Sequence, residues 1–516
     1  MQTVTAEWKA AHSEMLLPET FIDISYDITE PGLQNLAVAS GTMEAPFSEA
    51  DALTDVSEKD SRKHVSLEWN AWGLDGSFSY FSKTMRDFGY VTQNLCGVDS
   101  AFAVPPAIEI RFASVRTIPI AGITITWSTI FNEWAEDFLI TVYKGTAQVT
   151  QKMVAGNKDV KSIIWMGFQN YDRIVIEVSK WCLPYRRARA INTYVGISTT
   201  YTKHDLLNFS NSQSVDLLSA ALPKNELIFS LDNSNDKWNP DNPTGAERYL
   251  LERQKIQLRY GMRIGDGIEW INGGSFWLSE WNTPANGIEA SFTARDAIAF
   301  GDVKYTGVKT GTLYTLAQAA LNQLEEILLE VSYSISNNLK NTSISIANDE
   351  DDYTVSDILQ LVAHAGCCVL YQDREAVIHI EPRSTALSDY EITQDVSYSY
   401  PEYTISKPLK AVEISYGDDQ ITTLQAGTTG EVQTVDNPMI QTAAVAKAVG
   451  EAAKALLVNR KTVTGECRAD PRLDATDIVK VHSKYATNTV VITDISYSTT
   501  GGACRGHYTG RVIDSG

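Results

Sequence analysis

The sequence lacks the cysteine spacing of a disulfide-stabilised or zinc-binding domain. Its six cysteines are scattered and none forms a Cys-x-x-Cys pair, so neither a disulfide framework nor a structural zinc site is indicated. The adjacent Cys367 and Cys368 follow an apolar helical stretch and are predicted to be buried thiols. The other four cysteines are Cys96, Cys182, Cys467 and Cys504.

Long apolar runs are also missing. No segment approaches the roughly 18–20 consecutive apolar residues that span a bilayer. The Met-Gln-Thr-Val start has no basic stretch followed by an apolar one, which a secretory signal would require. We therefore expect synthesis in a cytoplasm, with exit only by lysis or inside an assembly.

Positive charge is scarce. The chain has 43 Lys and Arg against 64 Asp and Glu, a net charge of −21. Residues 1–62 carry twelve acidic side chains against only Lys9, Lys59 and Arg62, or about −9. Because binding to phosphates needs clustered Lys and Arg, the net charge argues against a main role in holding nucleic acid. An acidic surface instead gives solubility and repulsion from anionic membranes.

Sequence motifs for catalysis are absent. The seven histidines are isolated, and neither His-Glu-x-x-His nor Gly-x-Ser-x-Gly occurs. The glycines of 261–267 have the wrong spacing for a phosphate-binding loop. The sequence leaves open a pair of carboxylates for glycoside hydrolysis, because the two partners can be far apart in sequence. We expect no enzyme activity, no cofactor and no metal.

One acidic loop has two interpretations. Asp232, Asp236 and Asp241 offer oxygen ligands at short spacing, as a calcium site would. Lys237 stands where an EF-hand has Gly, and the distal Glu is missing. The favoured interpretation is a turn in which Asn and Asp side chains bond their own backbone.

The dominant pattern is that of β-strands. Segments alternate with period two and are rich in Val, Ile, Thr, Tyr and Trp, which is typical of strands. The fold class is therefore mainly β and multidomain, with a few short helices in α+β domains. Predicted strands include Phe21–Ile28, Ile108–Phe112, Ile120–Trp127, Phe138–Tyr143, Arg173–Val178, Glu226–Leu231 and Val490–Tyr497.

Three stretches have helical periodicity. They are Thr312–Leu329, Thr354–Ala365 and Gln441–Val458. Thr354-Val-Ser-Asp357 resembles a capping box with Asp in place of Glu or Gln. Residues 383–402 combine Ser, Tyr and Pro and are predicted to be a linker.

Residues 65–198 contain six to eight short strands separated by turns, which predicts a β-sandwich or jelly roll. Gly122-Ile-Thr-Ile125 and the later Arg187-Ala-Arg-Ala-Ile191 have the order and character of strands in galactose-binding-like, discoidin-type sandwiches. The segment resembles such carbohydrate-binding modules over about a quarter of the chain.

Sugar recognition needs aromatic faces for the pyranose ring and polar groups for its hydroxyls. The favoured ligand-binding residues are Trp69, Trp72, Asp75, Tyr90, Trp134, Arg186 and Arg187. Tyr80, Trp127, Asn94 and Asp99 could also contribute. The alternative for each aromatic residue is a place in the core, because alternation directs every second side chain of a strand inward.

The stretch from Asn225 to Pro243 is the most informative in the chain. A strand ends at Leu231 and enters an Asp/Asn-rich loop, Asp232-Asn-Ser-Asn-Asp-Lys-Trp-Asn-Pro-Asp-Asn-Pro243. The segment Tyr249–Gly261, which contains Ile256-Gln-Leu-Arg-Tyr260, follows. This order resembles the phage tail hub and tail-tip family, in which Phe usually stands at the position of Trp238.

Further segments resemble that family in the same order. They are Gly273–Trp281 with Ala290–Ala297, which ends in an Arg-Asp turn; Tyr353–Gly366 with Tyr371–Pro382; and Asp436–Ile440 with Gly465–Val481. Thr476 stands before Asp477 where the family typically has Gly. The resemblance covers about 300 residues.

The resemblance implies a structural, trimeric hub in the virion, at the tail tip or baseplate. Expected partners are tail tube and baseplate or tail-tip proteins, the tape measure and receptor-binding proteins, with host-surface glycan as a further partner. Alternatives are a cell-wall-glycan-processing enzyme and a free-standing carbohydrate-binding adhesin. The predicted domains are 1–62, 63–199 (the inserted sandwich), 200–305, 306–400 and 401–516, with 1–62 and 200–305 forming one discontinuous domain.

Overall fold

The computed structural model describes residues 1–14, 16–54, 89–283, 288–328, 331–346, 353–417, 420–500 and 503–515. The fold is mainly β with several sheets and a few helices, as the sequence predicts. The chain divides into two compact units. The first unit comprises Met1–Ser25, Tyr201–Asn242 and Lys255–Gly516, and the second comprises Tyr26–Thr200 and Pro243–Gln254. The domain boundaries given above stay predictions.

The elements before residue 202 are as follows. The chain begins with helix α1 (Ala6–Ser13) and strand β1 (Thr20–Ile28). The next strands are β2 (Ala37–Gly41), β3 (Tyr90–Val91), β4 (Ala107–Arg116), β5 (Ile120–Trp127), β6 (Ala135–Lys144), β7 (Ala147–Val154), β8 (Lys161–Phe168), β9 (Tyr171–Trp181), β10 (Arg189–Val195) and β11 (Ile197–Tyr201).

Most of the later elements are strands as well. They are β12 (Leu206–Ser214), β13 (Lys224–Asp232), β14 (Lys255–Ile264), β15 (Gly267–Asn282), β16 (Glu289–Arg295), β17 (Thr310–Thr312), β18 (Ser332–Ile335), β19 (Ser343–Ser345), β20 (Val369–Gln372), β21 (Val377–Glu381), β22 (Leu387–Ile392), β23 (Glu402–Ile405), β24 (Leu409–Tyr416), β25 (Gln420–Gln425), β26 (Glu431–Val435), β27 (Lys461–Arg468), β28 (Ile478–His482), β29 (Thr487–Thr500) and β30 (Ala503–Ser515). The helices among them are α2 (Leu313–Leu328), α3 (Val355–Ala365) and α4 (Ala443–Leu457). Short 3-10 helices lie at Leu33–Leu36, Ala50–Ala52, Glu247–Tyr249, Ala297–Phe300 and Asn337–Asn341.

The second unit is built around a β-sandwich. One sheet has the order β3-β10-β5-β8 and the other β2-β4-β9-β6-β7. Alternate residues of both sheets point into a shared core, which includes Ile125 and Trp127 from one sheet and Phe138, Ile140 and Ile176 from the other. Trp127 packs edge-on against Phe138 at 5.2 Å between ring centroids. A two-sheet sandwich is therefore present, and its discoidin-type character stays a prediction.

The first unit contains a large sheet that runs β1-β14-β15-β16-β13-β12-β29-β30-β27-β23. Strands from distant parts of the chain meet in it, since β12 pairs with both β13 and β29. Smaller sheets are β17-β19, β18-β21-β20 and β25-β24-β26. Helices α2, α3 and α4 contribute apolar faces to one core that includes Leu316, Leu324, Ile358, Val362 and Val449.

The three predicted helices are confirmed within two residues at each end. The capping box at Thr354 is also confirmed, because its hydroxyl accepts the Asp357 N–H while the Asp357 carboxylate accepts the Thr354 N–H. Helix α1 was not expected. It is stabilised by packing, since Trp8 is buried against Met262 and Ile271 of β14 and β15. Among the described residues, no helix has the length and apolar character needed to cross a membrane.

Two local expectations were wrong. Cys367 is exposed rather than buried, because it follows the end of α3 with a φ of 52° and turns outward, while Cys368 is buried as expected. The stretch 383–402 is not only a linker, since it contains β22, which pairs in parallel with β28. Seven predicted strands are present, with bounds that differ by up to three residues or, at the end of Ile108–Phe112, by four.

Candidate functional site

Three loops lie together at one end of the sandwich, and we call them the loop face: residues 92–100, 128–134 and 182–187. Hydrogen bonds join them. The Cys96 N–H donates to the Arg186 carbonyl at 2.9 Å, and the Cys182 N–H donates to the Trp134 carbonyl at 3.0 Å. The Cys96 thiol donates to the Leu183 carbonyl at 3.2 Å. The Cys182 sulfur accepts the Trp134 N–H at 3.4 Å, so both cysteine sulfurs help to hold the loops in place.

Neither thiol is activated for chemistry. Burial is the main cause that raises the pKa of Cys96, and it raises the pKa of Cys182 to about 11. Because the thiolate is the nucleophilic form, both side chains stay protonated near neutral pH. They act here as small groups, Cys96 buried and Cys182 partly buried, that make weak hydrogen bonds.

A buried ion pair lies beneath the loop face. The Arg186 Nε lies 2.9 Å from the Glu133 Oε1, and both side chains are buried. The Trp181 indole N–H donates to the Glu133 Oε2 at 2.8 Å. Arg186, one of the proposed sugar ligands, is thus ion-paired with an internal carboxylate, which joins loop 182–187 to loop 128–134.

The other proposed ligands have different surroundings. Tyr90 is 1% exposed and its hydroxyl donates to the Thr42 carbonyl at 2.8 Å. Arg187 donates to the carbonyls of Thr92 and Gln93. Trp134 is half-buried against the sandwich core. The loop face thus brings Trp134, Arg186 and Arg187 together, whereas Tyr90 lies in the core. Trp69, Trp72, Asp75 and Tyr80 lie outside the described residues.

The sequence interpretation missed the most exposed part of the loop face. Tyr185 is 43% exposed and has a φ of 58°, an unusual backbone conformation for a bulky side chain. Leu95, Val98 and Leu183 are exposed on the same loops. The tip therefore presents an aromatic ring and aliphatic groups to solvent. Pro184 before Tyr185 marks the turn in the sequence, but exposure depends on the fold.

In the first unit, the Asp/Asn-rich loop forms the predicted turns. The Asp232 carboxylate accepts the Ser234 N–H at 3.0 Å, and Asn233 Oδ1 accepts the Trp238 N–H at 2.8 Å. Asn235 and Asn239 each bond the N–H two residues on. The described residues contain no group of three or more His, Cys, Asp or Glu side chains arranged to hold a metal ion.

Trp238 occupies a core position in this loop. It is buried and packs edge-on against Phe292 at 5.2 Å, and Phe292 stacks on Phe229 at 5.1 Å. The three rings join the loop to neighbouring strands β13 and β16. Trp238 therefore contributes an aromatic ring to a packed cluster.

Arg374 connects segments that are far apart in sequence. It is buried in the turn between β20 and β21, and its Nε donates to the Asp474 carboxylate at 2.6 Å. Its other nitrogens donate to the carbonyls of Asn272 and Pro471 at 2.7 and 2.6 Å and of Leu473 at 2.9 Å. One guanidinium therefore satisfies four acceptors, and we call this group the Arg374 clamp.

Solved structures similar to the chain include tail proteins and a type VI secretion component. A 43 kDa tail protein of prophage MuSo2 from Shewanella oneidensis shares 12% identity with a TM-score of 0.43, over 60% of this chain and 94% of that one. A tail protein from Neisseria meningitidis MC58 shares 10% identity with a TM-score of 0.44, over 61% and 94%. A prophage tail protein from Listeria monocytogenes EGD-e shares 12% identity with a TM-score of 0.40, over 61% and 91%.

No protein-family model and no curated protein matches the chain. At these identities and TM-scores, the similar structures assign no function to it.

Proposed function

We propose that the chain is a structural hub at the tip or baseplate of a phage or phage-like tail. The Arg374 clamp carries this proposal. The resemblance rests on separate segments, and Arg374 from one of them bonds Asp474 and Leu473 from another and Asn272 next to a third. These segments resemble the family in the same order, and they also meet at one buried guanidinium. They therefore form one structural framework rather than unrelated local patterns.

The proposed hub is a trimer made in a host cytoplasm and located in the virion. It would join the tail tube to baseplate or tail-tip proteins, with the tape measure and receptor-binding proteins as further partners. Its role is structural rather than enzymatic. Negative-stain electron microscopy of the purified chain tests this proposal: a ring or cup with three protruding lobes supports it, whereas a single compact particle contradicts it.

We also propose that the sandwich contacts host-surface carbohydrate. The exposed Tyr185 ring and the half-buried Trp134, on two hydrogen-bonded loops, support this second role, because sugar rings stack on aromatic faces and their hydroxyls need nearby polar groups. Arg187 is a candidate polar group on the same loops, and Trp69, Trp72 and Asp75 remain candidates from the sequence. Binding of the whole chain to a glycan array tests the role.

A glycan-processing enzyme is the rival function. It predicts cleavage of cell-wall sugars and loss of cleavage when one Asp or Glu is changed. Incubating the chain with purified cell-wall glycan and measuring the released reducing ends distinguishes the enzyme from the structural hub. Release above the buffer control would contradict the structural proposal.

A further inference from the structure

A small sheet in the first unit has two edges that no described strand pairs with. Its order is β25-β24-β26, so β24 is central. β25 runs antiparallel to β24, and β26 runs parallel to it. Helix α4 covers one face: Val412 and Ile414 share a core with Ala446 and Val449, and Gly450 lets the helix approach, since a Cβ there would meet Leu424 at 1.8 Å. One face is thus covered, while both edges lack a partner strand among the described residues.

The hydrogen bonds show which backbone groups point away from this sheet. The Ala426 N–H donates to the Lys410 carbonyl at 2.9 Å, and the Glu431 N–H donates to the Pro408 carbonyl at 2.8 Å. Both residues therefore face toward β24. Because the backbone groups of successive strand residues point to opposite sides, Thr423 on β25 and Val432 on β26 direct their N–H and C=O groups outward.

These edges lack two of the usual protections against pairing, and the one register irregularity in the described part of this sheet lies between Leu409 and Ala411 of the central strand β24. Natural edge strands are commonly blocked by Lys, by Pro or by a bulge. Residues 420–435 contain neither Lys nor Pro, and their only charged residue is Glu431, which pairs with Lys407 at 2.5 Å. Ile421 is 62% exposed and Val432 41% exposed. Nothing in the described part of the chain pairs with either edge, which leaves both open to another strand.

A second copy of this chain is the occupant that the charges favour. Two copies with a net charge of −21 repel each other, so they approach most easily where charge is absent. With neighbouring copies in the same orientation, β26 of one copy meets β25 of the next in an antiparallel pair. Such a contact joins two different edges. It forms a closed ring when repeating the rotation that relates neighbouring copies returns to the first copy.

We propose that β26 of one copy pairs with β25 of the next, and that this contact closes the ring of the hub. The inference rests on the proposed ring-forming function and names the surface that carries it. Each contact uses the outward backbone groups of one β26 and one β25.

Proline substitutions at outward positions test the proposal. V432P removes an outward N–H and leaves the bonds to β24 in place, because proline is tolerated at strand edges when its nitrogen faces solvent. V432T keeps the N–H and is the matched control. T423P makes the equivalent change on β25. Molar mass by light scattering at tens of micromolar, with circular dichroism to verify folding, is the measurement.

We expect wild type and V432T to form trimers. V432P and T423P should each weaken the contact by about tenfold or more, equivalent to about 1.4 kcal/mol, and so form monomers. A mixture of the two Pro variants should form dimers, because each variant keeps one intact edge and the ring cannot close.

Other outcomes overturn the inference. Trimers of both Pro variants would show that the ring closes through another surface, and the hub proposal would stand. Loss of assembly in V432P alone would indicate β26 pairing with β26 instead. A monomeric wild type would contradict both the edge contact and the hub.

Discussion

Arg374 and Asp474 are one hundred residues apart in sequence, and their side chains meet at 2.6 Å with the arginine buried. The remaining donors of Arg374 bond three backbone carbonyls. An arginine with this fixed fork of donors suits several acceptors at once. The pair joins the hairpin of β20 and β21 to the segment that precedes β28.

Replacing Arg374 should destabilise the first unit strongly. R374M leaves the three carbonyls and Asp474 without their donor, and loss of one partner of a buried pair costs about 3 kcal/mol or more. Thermal unfolding followed by fluorescence measures the effect. The control is R295M, whose partners Glu226 and Glu280 are more exposed and whose ion pairs contribute less than about 1 kcal/mol. Equal melting temperatures for R374M and R295M would contradict the role of the clamp.

The stability of the first unit should depend on the protonation of Asp296. This residue begins the 3-10 helix after β16, where its carboxylate accepts the Ala299 N–H at 3.2 Å. Burial raises the pKa of Asp296 from 3.8 to about 7. Asp296 therefore keeps its proton up to about pH 7 in the folded state, whereas it loses the proton above about pH 4 in the unfolded state. The stability that this proton contributes is lost as pH rises through 7.

D296N tests that dependence because it is neutral at every pH and keeps the acceptor oxygen. We expect D296N to unfold at a higher temperature than wild type at pH 8, and the difference to shrink or reverse at pH 5. Melting temperatures at both pH values, with the exposed D266N as control, measure it. A difference that does not change with pH would contradict the raised pKa.

Tyr185 should contribute to glycan binding through its ring. Y185A removes the aromatic face and should weaken binding to any glycan recognised by wild type by roughly fivefold, or about 1 kcal/mol. Y185F should bind nearly as wild type does. The control is Y485A, which removes an exposed tyrosine of the first unit. If Y185A binds as tightly as wild type, the loop face is not the sugar site.

The capping box of α3 should protect the first turn of that helix. T354A removes the hydroxyl that accepts the Asp357 N–H at 3.1 Å, and loss of such a cap costs about 1 kcal/mol. Amide hydrogen exchange in the first turn should accelerate by about fivefold if it proceeds by local opening. T354S keeps the acceptor and should exchange as wild type does. Equal exchange in T354A and T354S would rule out a stabilising cap.

Local interactions were predictable from the sequence. The cap at Thr354, the turns at Asn233 and Asn239 and the alternation of strands such as β5 all depend on neighbours within a few residues. Long-range contacts were not predictable. Gln372-Asp-Arg-Glu375 has the composition of a solvated turn, yet Arg374 is buried by partners about a hundred residues away.

The same limit applies to α1 and to the loop face. The eight residues of α1 have little helical periodicity, and tertiary packing of Trp8 stabilises the helix. Tyr90 was predicted from the sequence as a sugar-binding residue and Tyr185 was not, yet the fold places Tyr90 in the core and Tyr185 at the surface.

The molar mass of the wild-type chain in solution is the most direct test of the hub. Light scattering coupled to size-exclusion chromatography measures it without assumptions about shape. The account predicts a single species of three times the 57.0 kDa chain mass. A stable 57.0 kDa monomer at tens of micromolar would contradict it.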